Sequence, residues 1–153
     1  MKSFVVLLLA AGMLGAADEQ EVKLLPEGPG KESVVKSCLD CHGTANFRKA
    51  RKDAEGWGES VQDMIDRGAK AEGNDAEIIV AYLTKNFGKG AKVQMNSAPL
   101  EEIKAVLGFS VPEAQAIVEY RDRSGPYKEW RDVTKVPGVD VAKVESRKDQ
   151  MTF

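Results

Sequence analysis

Apolar residues recur at helical spacing along most of the chain and almost nowhere alternate, so the sequence predicts an all-α protein. A first amphipathic run opens near Lys31-Glu32, carries Val34, Val35, Cys38 and Leu39, and is expected to stop at Gly43, a natural helix end. Asp53 is a good N-cap for a second helix reaching about Arg67, which sets Trp57, Val61, Met64 and Ile65 on one face. A third, from about Asn74 to Phe87, turns Ile78, Ile79, Tyr82 and Leu83 inward and ends at Gly88 and Gly90. The stretch from Asp18 to Lys31, punctuated by Pro26, Gly28, Pro29 and Gly30, is expected to be irregular, and Thr44 to Lys52 to be a loop.

From Val93 the punctuation changes. Asn96-Ser97 precedes Pro99-Leu100-Glu101-Glu102-Ile103, a helix start with proline and acids in its first turn. Leu107-Gly108-Phe109-Ser110-Val111-Pro112 is a tight turn into a helix reaching about Arg121. Gly125-Pro126-Tyr127, a short helix around Trp130 to Val133, a second turn at Val136-Pro137-Gly138-Val139-Asp140 and a last helix follow. Helix, glycine turn, helix therefore occurs twice. The division expected is a signal segment over 1–17, one helical domain over 18–92 and a second over 93–153.

The signal reading rests on Lys2, the short apolar run Phe4 to Leu14, and Gly15-Ala16-Ala17 ahead of Asp18-Glu19. The run is too short for a transmembrane span, so a periplasmic or secreted protein with no span after cleavage is expected. Composition is that of a globular chain, 42% hydrophobic and 30% charged, which excludes a disordered or multi-span protein. A formal net charge of -2 offers no bulk attraction for nucleic acid or anionic lipid. The basic cluster Arg48, Lys49, Arg51 and Lys52 reads as solvated surface, with a docking patch for an acidic redox partner as the functional alternative.

Cys38-Leu39-Asp40-Cys41-His42 carries the candidate chemistry. Cys-x-x-Cys-His is the attachment sequence of a c-type haem: two thiols add to the porphyrin vinyl groups and the imidazole meets the iron. Alternatives are poorer. Zinc wants about four ligands, and these are the only two cysteines and the only histidine. No strand pattern supports a thioredoxin-like pair, and a disulfide so short closes almost no loop. One haem c, attached through Cys38 and Cys41 with His42 as axial ligand, is therefore the expected cofactor. With no second histidine, the sixth ligand falls to Met64, Met95 or Met151, and Met64 is preferred because it shares a helix face with Trp57 and Val61. Cofactor-binding residues are then Cys38, Cys41, His42, Met64 and Trp57, with His42 and Met64 on the metal.

Residues 31–90 resemble a small class I cytochrome c, in the order Cys38-x-x-Cys41-His42, Trp57, Met64, Gly68-Ala69 and the helix ending Phe87-Gly88. The resemblance implies His42/Met64 ligation and a potential suited to accepting electrons from an enzyme. Residues 93–153 resemble the tandem helix-hairpin-helix domain of the competence DNA receptor family, in Asn96-Ser97, Ala114-Gln115-Ala116-Ile117-Val118, Gly125-Pro126-Tyr127, Val136-x-Gly138-Val139 and Thr152-Phe153. That family implies phosphate binding by hairpin backbone N–H groups beside a second glycine. Here Ser110 and Asp140 take those glycine positions, and nine Lys or Arg stand against ten Asp or Glu in residues 93–153.

These features give the expected function: a non-enzymatic periplasmic cytochrome passing single electrons between redox partners, docked to a dehydrogenase through its C-terminal domain. The same helix-hairpin-helix architecture serves protein contacts in the extrinsic subunit of photosystem II, and the Asp140 carboxylate repels phosphate, so DNA is not expected as a partner. Two other readings stand beside it. One is an exported DNA-binding helix-hairpin-helix protein with an accessory haem, and the other a haem sensor or peroxidase with an open sixth position.

Overall fold

The computed structural model describes residues 18–153, and the chain is all-α. The expected signal segment, 1–17, lies outside the described residues. The expected irregular lead-in contains a short helix, α1 (Glu19–Lys23), because Asp18 caps it by accepting from the Gln20 N–H at 2.9 Å. Helix α2 (Lys31–Cys38) stops well before Gly43, with Leu39 as its C-cap, so Cys41 and His42 stand beyond the helix. The expected loop holds α3 (Ala45–Arg48). Helices α4 (Ala54–Asp66), capped by Asp53 through the Gly56 N–H, and α5 (Asp75–Phe87) follow the apolar periodicity.

Helix α5 packs against both α2 and α4. Gly30, at φ +92°, opens α2 where a β-carbon would come within 2.9 Å of the Tyr82 Cβ, so no other residue fits this crossing without strain. Leu25, Val34, Phe47, Trp57, Ile79, Tyr82, Leu83 and Phe87 form one buried cluster. Burying each of the larger of these contributes about 1.5–3 kcal/mol. The Tyr82 hydroxyl donates to the Pro26 carbonyl at 2.7 Å, which fixes the lead-in against α5.

A second buried cluster runs from Val93 to Met151. It is built by α6 (Leu100–Leu107), α7 (Val111–Ser124), α8 (Trp130–Val133) and α9 (Val141–Arg147). Two short strands, β1 (Val93–Gln94) and β2 (Met151–Thr152), pair in parallel, Val93 opposite Met151, and join the two ends of this segment. Asn96 ties its entry to the middle, donating to the Tyr127 carbonyl at 2.8 Å and accepting the Tyr127 N–H at 2.7 Å.

The two clusters meet through charge. Arg48 of α3 and Glu102 of α6 are 1% and 3% exposed, and Arg48 donates to the Glu102 carboxylate at 2.8 and 2.7 Å. Arg51 reaches the other carboxylate oxygen at 2.8 Å, and both guanidinium groups stand over the Phe87 ring. Of the basic cluster expected at the surface, Arg48 is thus internal and Arg51 half-buried, with their acidic partner in the same chain, while Lys49 and Lys52 are exposed. Among the described residues no helix is long and apolar enough to cross a membrane.

Candidate functional site

The two glycine turns share a left-handed glycine followed by a helix cap. Gly108 (φ +74°) is the C-cap of α6, whereas Gly138 (φ +83°) lies in a turn beyond the end of α8, whose own C-cap is Thr134. Phe109 and Val139 follow and are buried. Next come Ser110 and Asp140, each an N-cap with extended backbone, at φ -67° and -72°. An ordinary negative φ needs no glycine, which explains how serine and aspartate stand there. Val111 and Val141 then project, 48% and 47% exposed, at matched places on the two turns.

The caps engage the acidic side chains with the turns themselves. Asp140 turns its carboxylate onto its own helix, accepting from the Ala142 and Lys143 N–H groups. Glu113 does more: one oxygen accepts from the Ser110 N–H (2.8 Å), the Ser110 hydroxyl (2.7 Å) and the Lys143 ammonium (2.8 Å). Its other oxygen faces the Asp140 N–H at 3.4 Å, so one carboxylate bridges both turns. Burial pushes the Glu113 carboxyl up, but Lys143, Ser110 and the Asp140 N–H outweigh it and hold it at about 2.

Two cations lie beside the first turn. Lys143 stands 5.5 Å from the centre of the Phe109 ring, and a β-carbon added at Gly108 would meet the Arg147 guanidinium at 3.8 Å. Both come from α9, four residues apart, and therefore present one face toward the first turn. Lys148 and Arg131 flank Trp130 at 5.7 and 4.6 Å. Glu102, one of the ten acids counted in this segment, is internal and neutralised by Arg48 and Arg51, and Arg121, one of the nine bases, is likewise largely buried, donating to the Met95 and Ala98 carbonyls.

The residues singled out around the cysteines share another place. Cys38, Cys41, His42, Trp57 and Met64, with Ser37, line one cavity of about 570 Å³ between α2 and α4. The Trp57 Nε1–H and the Ser37 hydroxyl are buried without a hydrogen-bond partner. Burial, and then Cys41, push the Cys38 thiol up to about 11. His42 Nδ1 lies 3.1 Å from the Gly43 carbonyl. Met95 and Met151 are buried in the C-terminal cluster, away from the cavity. Among the described residues no three His, Cys, Asp or Glu side chains converge as a metal site.

Residues 88–152 match the helix-hairpin-helix motif family, and this segment is a helix-hairpin-helix domain. ComE operon protein 1 of Bacillus subtilis is 38% identical over 65 residues, which is 42% of this chain and 32% of that protein. An uncharacterized protein of Haemophilus influenzae is 32% identical over 63 residues, 40% of this chain and 56% of its own length. The endonuclease/exonuclease/phosphatase family domain-containing protein 1 of Mus musculus is 29% identical over 70 residues, 46% of this chain and 12% of that one. The match thus spans less than two thirds of each of these relatives. No solved structure matches.

These findings correct the sequence reading. The family match falls on the C-terminal segment, and none of these three relatives is named as a cytochrome. The expected haem c cofactor and the electron carrier docked to a dehydrogenase give way to the DNA-binding alternative. The exclusion of DNA falls with them. It rested on a summed charge and on the Asp140 carboxylate, which in the structure is engaged with its own helix through the Ala142 and Lys143 N–H groups.

Proposed function

We propose that this chain is an exported, non-catalytic binding protein whose residues 93–153 hold duplex DNA by its sugar-phosphate backbone, beside a helical module of residues 18–92. The observation that carries the reading is the pair of like turns, Gly108-Phe109-Ser110-Val111 and Gly138-Val139-Asp140-Val141, with Arg147 set against the first. Two like tips suit the repeat of a phosphate backbone, and Arg147 and Lys148 supply cations whose binding releases counterions. The resemblance to the competence DNA receptor family and the match to ComE operon protein 1 support the same reading. Because contacts to phosphate carry no sequence information, binding is expected to be sequence-indifferent.

The test is fluorescence anisotropy of the full chain with short labelled duplexes of unrelated sequence, titrated across salt. Arg147→Gln should weaken binding to every duplex alike and reduce the magnitude of the log–log salt slope by about 0.9. Equal affinity and an unchanged slope in the variant would reject Arg147 as a phosphate contact.

We also propose that Cys38, Cys41, His42, Met64 and Trp57 line a pocket for a small molecule. Support comes from the lining itself, where the Trp57 indole and the Met64 thioether share one cavity with two thiols and an imidazole. Mass spectrometry of the protein recovered from its native host, under native and then denaturing conditions, tests this. A mass above that of the processed polypeptide in either condition supports a ligand, and a bare polypeptide mass in both counts against one.

A further inference from the structure

The bridging carboxylate of Glu113 has the chemistry of the ligand that a helix-hairpin-helix tip is proposed to receive. It is an anion placed between two turns, accepting from a backbone N–H and a hydroxyl at Ser110, facing the Asp140 N–H, and paired with an ammonium group from α9. Each contact it makes is one that a phosphate oxygen could otherwise make. Lys143 is the cation most directly placed between the turns, at 5.5 Å from the Phe109 ring, and Glu113 holds it at 2.8 Å. Arg147, by contrast, lies outside this knot, against Gly108.

We propose that Glu113 is an affinity-setting residue, occupying the anion position between the two turns so that Lys143 and the Asp140 N–H are withheld from nucleic-acid phosphate. The inference rests on the DNA-binding reading above. It separates two cations of one helix by their state: Arg147 available to phosphate, Lys143 already satisfied. Duplex affinity is thereby kept low and carried by fewer phosphate contacts than the cations near the turns would allow.

The test is a set of four full-length proteins in the anisotropy assay: wild type, Glu113→Gln, Lys143→Gln and the double variant, with Glu145→Gln as the charge control. Glu145 is exposed on α9, the helix of Lys143, and its replacement makes the same change in net charge as Glu113→Gln. Glu113→Gln should tighten binding about five-fold or more at low salt and steepen the salt slope by about 0.9, the value for one added phosphate contact. Glu145→Gln should move affinity by less than about two-fold, with no change of slope. Lys143→Gln should leave the wild type within about two-fold and abolish the gain in the Glu113→Gln background.

A gain from Glu113→Gln no larger than that from Glu145→Gln, or one that survives Lys143→Gln, overturns the proposal. If Glu113→Gln does not fold, as circular dichroism would report, the single Lys143→Gln variant still decides: a loss beyond about five-fold would show Lys143 already on phosphate. Wild type binding with no response to Glu113→Gln defeats this inference alone. No binding by either protein defeats the DNA reading with it.

Discussion

Glu102→Gln is the most informative stability variant, because it removes one charge from the junction between the two buried clusters and almost no volume. In the native protein the carboxylate lies between two guanidinium groups, taking both Arg48 contacts at 2.7 and 2.8 Å and the Arg51 contact at 2.8 Å. Arg48 is 1% exposed, so water cannot replace what the carboxylate supplies, and its remaining acceptor is the Leu24 carbonyl. Burial already pulls the Arg48 guanidinium below its ordinary value, with Glu102 opposing that pull. Leaving a buried charge unpaired costs about 3–5 kcal/mol. At about 2–4 °C per kcal/mol for a chain of this length, the thermal midpoint should fall by roughly 6–20 °C.

Urea melts followed by far-UV circular dichroism measure the loss. Arg51→Ala should cost less than Glu102→Gln, since Arg51 is 14% exposed and Arg48 still neutralises the carboxylate. The Arg48→Met/Glu102→Leu pair should recover part of the loss seen in Glu102→Leu alone, because removing both charges removes the unpaired one. A loss below about 1 kcal/mol for Glu102→Gln, or a double variant no better than the single one, would refute the buried ion cluster as the joint between the clusters.

Gly30→Ala should destabilise by about 1–3 kcal/mol in the same melts, since φ +92° and the 2.9 Å approach to Tyr82 both oppose a side chain, and an unchanged midpoint would contradict the tight crossing. The Glu113 carboxyl, held at about 2 against an ordinary 4.5, is deprotonated more readily in the folded than in the unfolded chain. Its contribution is therefore complete above about pH 4.5 and lost as pH falls toward 2; acid titration of stability should flatten over that window in Glu113→Gln, and an identical profile would contradict the assignment. Tyr127→Phe should lose about 0.5–1.5 kcal/mol through the hydrogen bond its hydroxyl donates to the Ile117 carbonyl, measured by the same denaturation.

What the sequence disclosed was local. Asp53 capping α4, the α5 periodicity and the short helix at Trp130 to Val133 each follow from residues within one turn of their effect. The repeated glycine turns were legible because a left-handed glycine and the cap after it are sequence-local devices. Long-range partners were not. Nothing near Arg48 in sequence shows that Glu102, 54 residues away, will bury it, so a basic cluster looked like surface. The pairing of Val93 with Met151 was equally hidden, being two residues long at each end. Asp140 was misread for a related reason: its charge was visible, whereas its turn onto the Ala142 N–H was not. Glu113 escaped notice because an acid in a first helical turn is ordinary. The signal that could have found it was the capping-box spacing from Ser110 to Glu113.

The most direct test of the account is duplex DNA binding by the intact chain at low salt, followed to physiological salt. We predict sequence-indifferent association with a dissociation constant of about 10⁻⁶–10⁻⁴ M that weakens steadily as salt rises, and that weakens further in Arg147→Gln. Absence of binding at low salt, or binding indifferent to both salt and Arg147, would contradict the claim that the paired turns are a phosphate-binding surface.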